Sequence, residues 1–337
     1  MESVSVLQYR AGIVECEHRV RVAVWQAGSL ARSAGDTAAH VYLRSSAKLV
    51  QALACILTGA ADRFSMTDAE IALACGSHGG ESFHVATAAG LLAKIGRTPE
   101  DLQCGAHPPV YEPASRAIAA AGGKPTALHN NCSGKHSAML AACVAAGWDT
   151  STYLDPSHPL QRLNLENVAA FAGVTPQEVR IGLDGCSAPV FAVPLANCAR
   201  VFAAVTNRNE AAGLSEAQRV ASRRVAAALR EHPEMIGGTG RLDTDVIRLT
   251  QSRVLSKVGA EGLWCAGVGG ANLGLAAKCE DGSATPAAWV GLAALRTLGV
   301  FDDATWEALA PHRDLVRRNH RRTEVGVCEI RPPGGLG

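Results

Sequence analysis

The sequence predicts an α+β protein, in which a mostly antiparallel sheet is built from both chain ends and a large helical lobe lies between them. Polar and apolar residues alternate with the period of a strand over residues 3–27, and short β-branched and aromatic runs return after residue 253. The region between them is rich in Ala and Leu at helical spacing. Strands that enclose helices in this way favour one sheet with the helices packed against it.

We interpret residues 1–337 as a single domain, because no repeat, low-complexity linker or clear boundary divides them. The sheet is expected from about residues 3–30 and 253–330, and the helical lobe from about residues 44–251. A chain of this length buries a large core whether it folds as one unit or as two closely joined lobes.

The local pattern predicts the single elements. A hairpin is split near Ala11 and Gly12, and a helix runs from Arg44 to Thr58 with Gly59 at its C-terminal stop. Further helices are predicted at 67–75, 81–95, 114–121, 135–146, 160–171, 215–231, 241–251 and 286–298. Further strands are predicted at 253–258, 262–268, 273–279 and 324–330.

Charge and hydropathy exclude several classes of partner. The 32 basic and 31 acidic residues give a net charge of +1, and no basic stripe is present, so neither nucleic acid nor an anionic membrane is an expected partner. No apolar stretch reaches the length of a membrane span. A small, nearly neutral substrate fits this surface better.

Cysteine usage favours a reducing compartment. The 11 cysteines are an odd number, several lie in apolar helical runs, and no secretory signal precedes them. The expected location is therefore the cytoplasm. A homodimer is the expected assembly for a soluble enzyme of this size.

The helix predicted at 44–58 opens with an SxxK motif, which places Ser45 and Lys48 one turn apart on the same face. A serine hydroxyl is a poor nucleophile until a base removes its proton, and a lysine amine with a depressed pKa does so. The alternative is a solvated helix surface that carries Ser and Lys at this spacing by chance.

A second polar segment, residues 75–82, holds Ser77 and His78 among glycines between two apolar helices. Small residues let a substrate approach the backbone, and glycines ahead of a helix offer N–H groups to an anion. An ordinary interhelical turn, with His78 as a cap or a surface residue, is the alternative.

Two further loops carry thiols. Cys132 lies in a polar run that leads into a helix, and Cys186 lies in another short polar loop. Two thiolates from separate loops, with Lys135 or His136 beside one of them, are donors for Zn²⁺ with an open position. Buried structural cysteines are the alternative reading. Lys257 lies on a late strand, and a single lysine on a strand is usually solvent-facing.

Together the segments resemble the bacterial L-asparaginases of the thermolabile or rhizobial type, related in fold to glutaminases and serine β-lactamases. Six ordered motifs carry the resemblance: RSSAK at 44–48, CGSHGGE at 75–81, HNNCSGKH at 129–136, GLDGCSAP at 182–189, GTGRLDTD at 238–245 and KVGAEG at 257–262. The resemblance extends over about residues 10–330 and implies hydrolysis of the side-chain amide of L-asparagine.

The resemblance also implies roles for single residues. Ser45 and Lys48 correspond to a nucleophile and its base, and Ser77 and Lys257 to a second serine and lysine pair that faces the first. The implied Zn²⁺ ligands are Cys132, Lys135 and Cys186, and the implied substrate-binding residues are Arg44, His78, His136, Asp184 and Glu261.

Three alternative functions remain at this point. The first is an SxxK acyl hydrolase of the β-lactamase or glutaminase type, although Val258 stands where penicillin-recognising enzymes have a threonine. The second is a noncatalytic zinc-binding protein. The third is an N-terminal threonine hydrolase that begins at Thr239 after cleavage of the chain.

Overall fold

The computed structural model describes residues 2–207 and 213–333. In these ranges the strands are β1 (Val4–Arg10), β2 (Ile13–Gln26), β3 (Ser29–Ala34), β4 (His40–Tyr42), β5 (Arg180–Leu183), β6 (Pro189–Pro194), β7 (Val254–Gly259), β8 (Leu263–Val268), β9 (Leu273–Cys279), β10 (Val316–Arg318) and β11 (Glu324–Arg331).

The α-helices are α1 (Lys48–Gln51), α2 (Leu53–Leu57), α3 (Ala60–Arg63), α4 (Asp68–Ala74), α5 (Ser82–Lys94), α6 (Glu112–Ala120), α7 (Ser133–Ala146), α8 (Pro159–Ala172), α9 (Leu195–Thr206), α10 (Glu216–Glu231), α11 (Leu242–Leu249), α12 (Ala284–Thr297), α13 (Asp303–Ala308) and α14 (Ala310–Arg313). Short 3₁₀ turns lie at Arg44–Ala47, Pro99–Asp101, Ala127–His129, Pro176–Glu178 and Pro233–Ile236.

The main sheet has the order β10-β11-β1-β2-β9-β8-β7, with β3 paired to β2, and its neighbours are antiparallel. Strands from the N-terminal part of the chain lie between strands from its C-terminal part, since β1 pairs with β11 and β2 pairs with β9. This confirms the prediction of an α+β fold with an antiparallel sheet from both chain ends. A second sheet of three strands, β4-β6-β5, was not predicted.

Helix α9 packs on the main sheet across a pair of glycines. Gly267 of β8 and Gly274 of β9 lie opposite each other in the register. A Cβ atom at Gly274 would lie 1.9 Å from the carbonyl oxygen of Ala199, and one at Gly267 would lie 2.2 Å from that of Phe202. The missing side chains therefore let the helix backbone rest directly on the strands.

The helical lobe forms its own apolar core around α7. Residues Ser133–Cys143 of this helix are all buried, and α2, α4 and α5 pack around it. Helices begin and end where the sequence indicates: Thr67 forms a capping box at α4, and α7 ends at Gly147 in the left-handed conformation. Within residues 2–207 and 213–333, each helix is too short or too polar to cross a bilayer.

The predicted helix from Arg44 to Thr58 differs in detail from the structure. It begins as a 3₁₀ turn, and its α-helical parts are α1 and α2. The backbone N–H and the hydroxyl of Ser46 both donate to the carbonyl oxygen of Leu43, at 3.0 and 2.6 Å. A side chain that bonds this carbonyl tightens the first turn.

We expect Gly274→Ala to lower the free energy of unfolding by about 1–3 kcal/mol, because the methyl group pushes α9 away from the sheet. The matched control is Gly90→Ala in the exposed middle of α5, where a Cβ meets no atom within 4 Å. This change is expected to stabilise the protein by about 0.5–1 kcal/mol. Denaturant titration measures both, and equal effects would contradict the packing argument.

Candidate active site

The Lys48 side chain lies at the centre of the candidate site, with 1% of the residue exposed. Its Nζ donates to the carbonyl oxygen of Gly76 at 2.5 Å, to Ser77 Oγ at 3.0 Å and to the carbonyl oxygen of Asn131 at 3.3 Å. Lys48 therefore joins three segments: its own helix and the loops before α5 and α7. The sequence predicted contact with Ser45, but the hydrogen-bonded serine is Ser77.

Ser45 is half-buried one turn before Lys48. Within residues 2–207 and 213–333, its hydroxyl has no hydrogen-bond partner, so its oxygen is unengaged. The preceding residue, Arg44, has φ 48°, a left-handed conformation that is strained for a residue with a side chain. The backbone thus changes direction sharply just before this serine.

Lys257 is fully buried on β7 and forms an ion pair with Asp243, whose Oδ2 lies 3.6 Å from its Nζ. Burial lowers the pKa of Lys257 to about 8, although Asp243 opposes the shift, and the Lys48 and Arg241 cations add to it. The predicted solvent-facing alternative for this lysine is wrong. A buried amine of this pKa changes protonation near neutral pH.

Asp243, at the start of α11, was not predicted as a site residue. Its carboxylate accepts from Ser256 Oγ at 2.9 Å, from Val258 N–H at 2.8 Å and from Trp264 Nε1 at 3.2 Å. These three donors hold the carboxylate rigidly against Lys257. The motif GTGRLDTD contains this residue, but no local pattern places it beside a lysine on β7.

The three residues predicted as Zn²⁺ ligands lie together and are buried, with Lys135 Nζ 3.1 Å from Cys186 Sγ. A hydrogen bond with Cys186 and the cations of Lys48 and Lys135 hold the pKa of the Cys132 thiol well below its usual range. Burial opposes the charge of Lys135, but the two sulfur atoms raise its pKa. Thiolates are donors that zinc accepts, and Lys135 adds a nitrogen donor once it has lost its proton, so this set fits the metal.

His136 supplies a buried polar atom without a partner. Tyr153 Oη accepts from the Gln103 N–H at 3.0 Å and lies 2.7 Å from His136 Nδ1, so its proton points to that nitrogen. The network therefore places the imidazole proton on Nε2, which has no hydrogen-bond partner. Burial, with Lys135 and Lys48, keeps the pKa of His136 well below its usual value. His136 thus presents a neutral, buried N–H donor that has no acceptor.

The structure brings together Arg44, Asp184 and Glu261, three of the predicted substrate-binding residues. The Arg44 Nε and Nη2 atoms both lie 2.9 Å from Asp184 Oδ1, which also accepts from the Gly185 N–H at 2.8 Å. Glu261 is more loosely placed, 3.9 Å from Arg44 and 72% exposed, where an ion pair contributes little. The charge of Arg44 is thus already neutralised by Asp184, which also orients the loop of Cys186.

His78 is fully buried, and both its ring nitrogens have protein partners. Nδ1 accepts from the Gly80 N–H at 3.2 Å, and Nε2 lies 3.0 Å from Ser133 Oγ. Burial, with the neighbouring His84 and Lys48, holds the pKa of His78 well below its usual range, so the ring is neutral. His78 fixes the Ser77 loop against α7. Neither of its ring nitrogens is free in this structure to make the predicted contact with substrate.

A cavity of about 370 Å³ opens beside Ser77, a size suited to a small ligand. Its polar lining includes Ser77, Arg241, Asp243, Thr285, His312 and Asp314. Arg241 was missed by the sequence reasoning. In the described ranges its guanidinium has neither an ion pair nor a hydrogen bond, so its charge faces the cavity unpaired.

Serine and lysine side chains that lie close together in a buried site are groups that enzymes use for nucleophilic attack on an acyl carbon. The family model described as L-asparaginase II matches residues 6–330. The chain belongs to the L-asparaginase II family, and it is accordingly an asparaginase-type amidohydrolase that acts on a small amide. No curated protein matches the chain in a sequence comparison.

The pKa of Lys257 predicts how stability depends on pH. Between about pH 8 and pH 10.5 the unfolded chain holds the Lys257 proton and the folded chain has lost it, so the free energy of unfolding rises with pH in this window. A shift of this size corresponds to roughly 3 kcal/mol.

Lys257→Met is expected to remove this rise, and the difference between wild type and variant isolates it from other titrating groups. Lys124→Met, at an exposed position, is the control that keeps it. Denaturant titrations from pH 7 to about pH 10.5 measure the effect. Parallel curves for wild type and Lys257→Met would contradict the lowered pKa.

Proposed function

We propose that this protein is an L-asparaginase, which hydrolyses the side-chain amide of L-asparagine to L-aspartate and ammonia through an acyl-enzyme. The proposal rests on one observation above the others, the buried 3.0 Å hydrogen bond between Lys48 Nζ and Ser77 Oγ, one turn from an unengaged Ser45 hydroxyl. Membership of the L-asparaginase II family supports the choice of an amide substrate.

Ser45 is the nucleophile in this proposal. Its Oγ bonds to the side-chain carboxamide carbon of the substrate while its proton passes to the neutral amine of Lys48. Two features support the assignment: the hydroxyl has no competing hydrogen bond, and the strained turn at Arg44 fixes its direction. Side chains three residues apart in a 3₁₀ turn lie one above the other, which places Ser45 and the stem of Lys48 on the same face of the turn.

Ser77 carries the proton onward. Its hydroxyl touches Lys48 and also lines the cavity, so it connects the base to the position of the leaving nitrogen. The C–N bond breaks as the amide nitrogen accepts this proton and leaves as ammonia. A water molecule then gives a proton to Lys48 and attacks the ester carbon, which releases L-aspartate and restores the Ser45 hydroxyl.

Lys257 supports this cycle through its charge. Lys48 is among the groups that lower the pKa of Lys257, so the two buried amines are electrostatically coupled. Asp243 stabilises the charged form of Lys257. The ion pair with Asp243 lets Lys257 keep its own proton while Lys48 gains and loses one.

Arg241 is proposed to bind the α-carboxylate of the substrate. It is an unpaired guanidinium that lines the same cavity as Ser77, and a guanidinium binds a carboxylate through two parallel hydrogen bonds. Arg44 is a weaker choice for this role, because Asp184 already occupies two of its donors. Substrate charge and the reacting amide are in this way held at different ends of the cavity.

Zinc is proposed as a resident metal held by Cys132, Lys135 and Cys186, with His136 beside it. When bound, it would supply a fixed positive charge that orients an oxygen atom of the substrate. Binding requires that the thiols and the amine give up their protons. The chain's own contribution is to hold these donors together in a buried cluster, where Lys135 already contacts Cys186.

The serine assignments predict different losses of activity. Ser45→Ala is expected to reduce kcat for ammonia release by at least about 10³-fold, because no covalent intermediate forms. Ser77→Ala removes only proton transfer and is expected to cost about 10²–10⁴-fold. Ser29→Ala, at an exposed serine of β3, is the control with activity close to wild type.

Mass spectrometry of rapidly quenched enzyme distinguishes the two serines further. The substrate acyl group is expected on the peptide that contains Ser45 and to be absent in Ser45→Ala. Near wild-type turnover by Ser45→Ala, or an acyl group on Ser77, would require a different nucleophile. Hydrolysis of a chromogenic cephalosporin at a rate comparable to that of asparagine would favour the β-lactamase-like alternative.

The metal assignment predicts a change in zinc content. Cys186→Ser, purified without chelator, is expected to hold one zinc per chain fewer than wild type, because one of three ligands is lost. Cys143→Ala, at a buried thiol on the same helix as Lys135, is the control with unchanged content. Equal zinc in wild type and Cys186→Ser, by elemental analysis, would remove this metal from the site.

The role of Arg241 predicts a change in substrate affinity. Arg241→Met is expected to raise KM for L-asparagine by about 10²-fold, since a charge-assisted pair contributes about 1.5–3 kcal/mol. Arg32→Met, at an exposed arginine of β3, is the control. Steady-state kinetics provide the measurement, and a KM within about twofold of wild type would exclude Arg241 from carboxylate binding.

A further inference from the structure

A second group of metal-binding side chains lies on the main sheet, separate from the cluster of Cys132, Lys135 and Cys186. It consists of His18 on β2, Cys279 at the end of β9 and Asp281 in the turn before α12. One ligand atom from each residue lies within 4.8 Å of the other two. Within the described ranges, no other three His, Cys, Asp or Glu side chains approach one another in this way.

The individual distances are short. His18 Nδ1 lies 2.5 Å from Asp281 Oδ2, and Cys279 Sγ donates to Asp281 Oδ1 at 3.1 Å. Ligands around a tetrahedral zinc ion lie about 3.3–3.6 Å apart, given bond lengths of about 2.0–2.3 Å. Small rotations of the side chains therefore suffice to place an ion between the three donors.

The backbone that carries these residues is fixed by the sheet. Val20 of β2 lies opposite Cys279 of β9, and the Glu280 N–H donates to the Arg19 carbonyl oxygen at 2.9 Å, one step further along the ladder. Asp281 is held in turn by the Ser283 N–H, which donates to its Oδ1 at 2.8 Å. The donors thus sit on paired strands and a short turn, which suits a preorganised site.

A fourth residue contacts the other ring nitrogen of His18. Cys16 lies two residues before His18 on β2, and its Sγ is 3.5 Å from His18 Nε2. Histidines that bind a metal through one nitrogen usually have a hydrogen-bond partner at the other, which fixes the ring orientation. Cys16 occupies that position, leaving Nδ1 directed at Asp281 and Cys279.

We propose that His18, Cys279 and Asp281 form a second zinc site, with Cys16 as the residue that orients the histidine. One nitrogen, one sulfur and one carboxylate oxygen suit Zn²⁺, whereas Mg²⁺ and Ca²⁺ require oxygen ligands. The thiol proton of Cys279 and the proton between His18 and Asp281 are released when the ion binds. A water molecule completes the tetrahedron, since the Asp281 side chain is 45% exposed.

The site is structural rather than catalytic. It connects strand β2, near the N-terminus of the chain, to the turn between β9 and α12, so a bound ion links the two chain ends across the sheet. Ions that bind only the folded protein raise its stability with the logarithm of their concentration relative to Kd. Zinc is therefore expected to raise the melting temperature by an amount that depends on these ligands.

Equilibrium dialysis of metal-free full-length protein against Zn²⁺ tests the site by stoichiometry. Cys279→Ser and His18→Gln are each expected to bind one equivalent fewer than wild type, and Cys55→Ser, at a buried thiol of helix α2, is expected to match wild type. This difference of one equivalent does not depend on the active-site zinc. A Cys186→Ser background gives the same difference whether or not the proposed catalytic metal binds.

Co²⁺ as a probe identifies the ligands. A thiolate-to-cobalt absorption band is expected in Cys186→Ser protein and is expected to be lost when Cys279→Ser is added. Cys16→Ser is expected to weaken binding by about 10–100-fold without changing the stoichiometry. The proposal is overturned if His18→Gln and Cys279→Ser both bind as much Zn²⁺ as wild type, in which case the cluster is only a His–Asp ion pair beside a thiol.

Discussion

The buried side chain of Lys48 is the constraint around which the site is organised. It donates to Ser77 and to two backbone carbonyl oxygens, those of Gly76 and Asn131, and these bonds hold three separate segments in one place. Its electrostatic influence extends to other buried groups. After burial itself, Lys48 is among the causes that lower the pKa values of His78, His136 and Lys257. Burial is the first cause in both histidines, and Lys48 adds to it.

Much of the architecture could be predicted from local patterns. Elements with strong periodicity or clear end signals, such as α5, α10 and β9, lie within a few residues of their predicted bounds. The β6 strand and helix α9 were missed for different reasons. Strand β6 is buried at nearly every position, so it shows no alternation of polar and apolar residues. Helix α9 has a partly exposed face with Asn197 and Arg200, and this helical period was overlooked.

Parts of the candidate site could also be predicted from local patterns, whereas other parts could not. Local motifs identified Ser45, Lys48 and Ser77, because a polar or small residue in an apolar setting is visible in one dimension. Contacts between distant segments were not visible. Asp243 meets Lys257 only because α11 packs against β7, and Arg241 faces the cavity only because its loop lies opposite Ser77. Charge pairing across a fold is set by packing, which no short motif encodes.

The pairing of the first strands of the chain with its last strands has a consequence for the folding of the nascent chain. During synthesis β1 and β2 emerge long before β9 and β11, their partners in the sheet. Contacts between such distant segments carry a large loop-closure cost and slow the folding of a domain. The N-terminal hairpin of β1 and β2 is therefore synthesised well before the strands that pair with its edges. Ser45 and Lys48 exist in every nascent chain, but the lysine from β7 joins them only when translation is nearly complete.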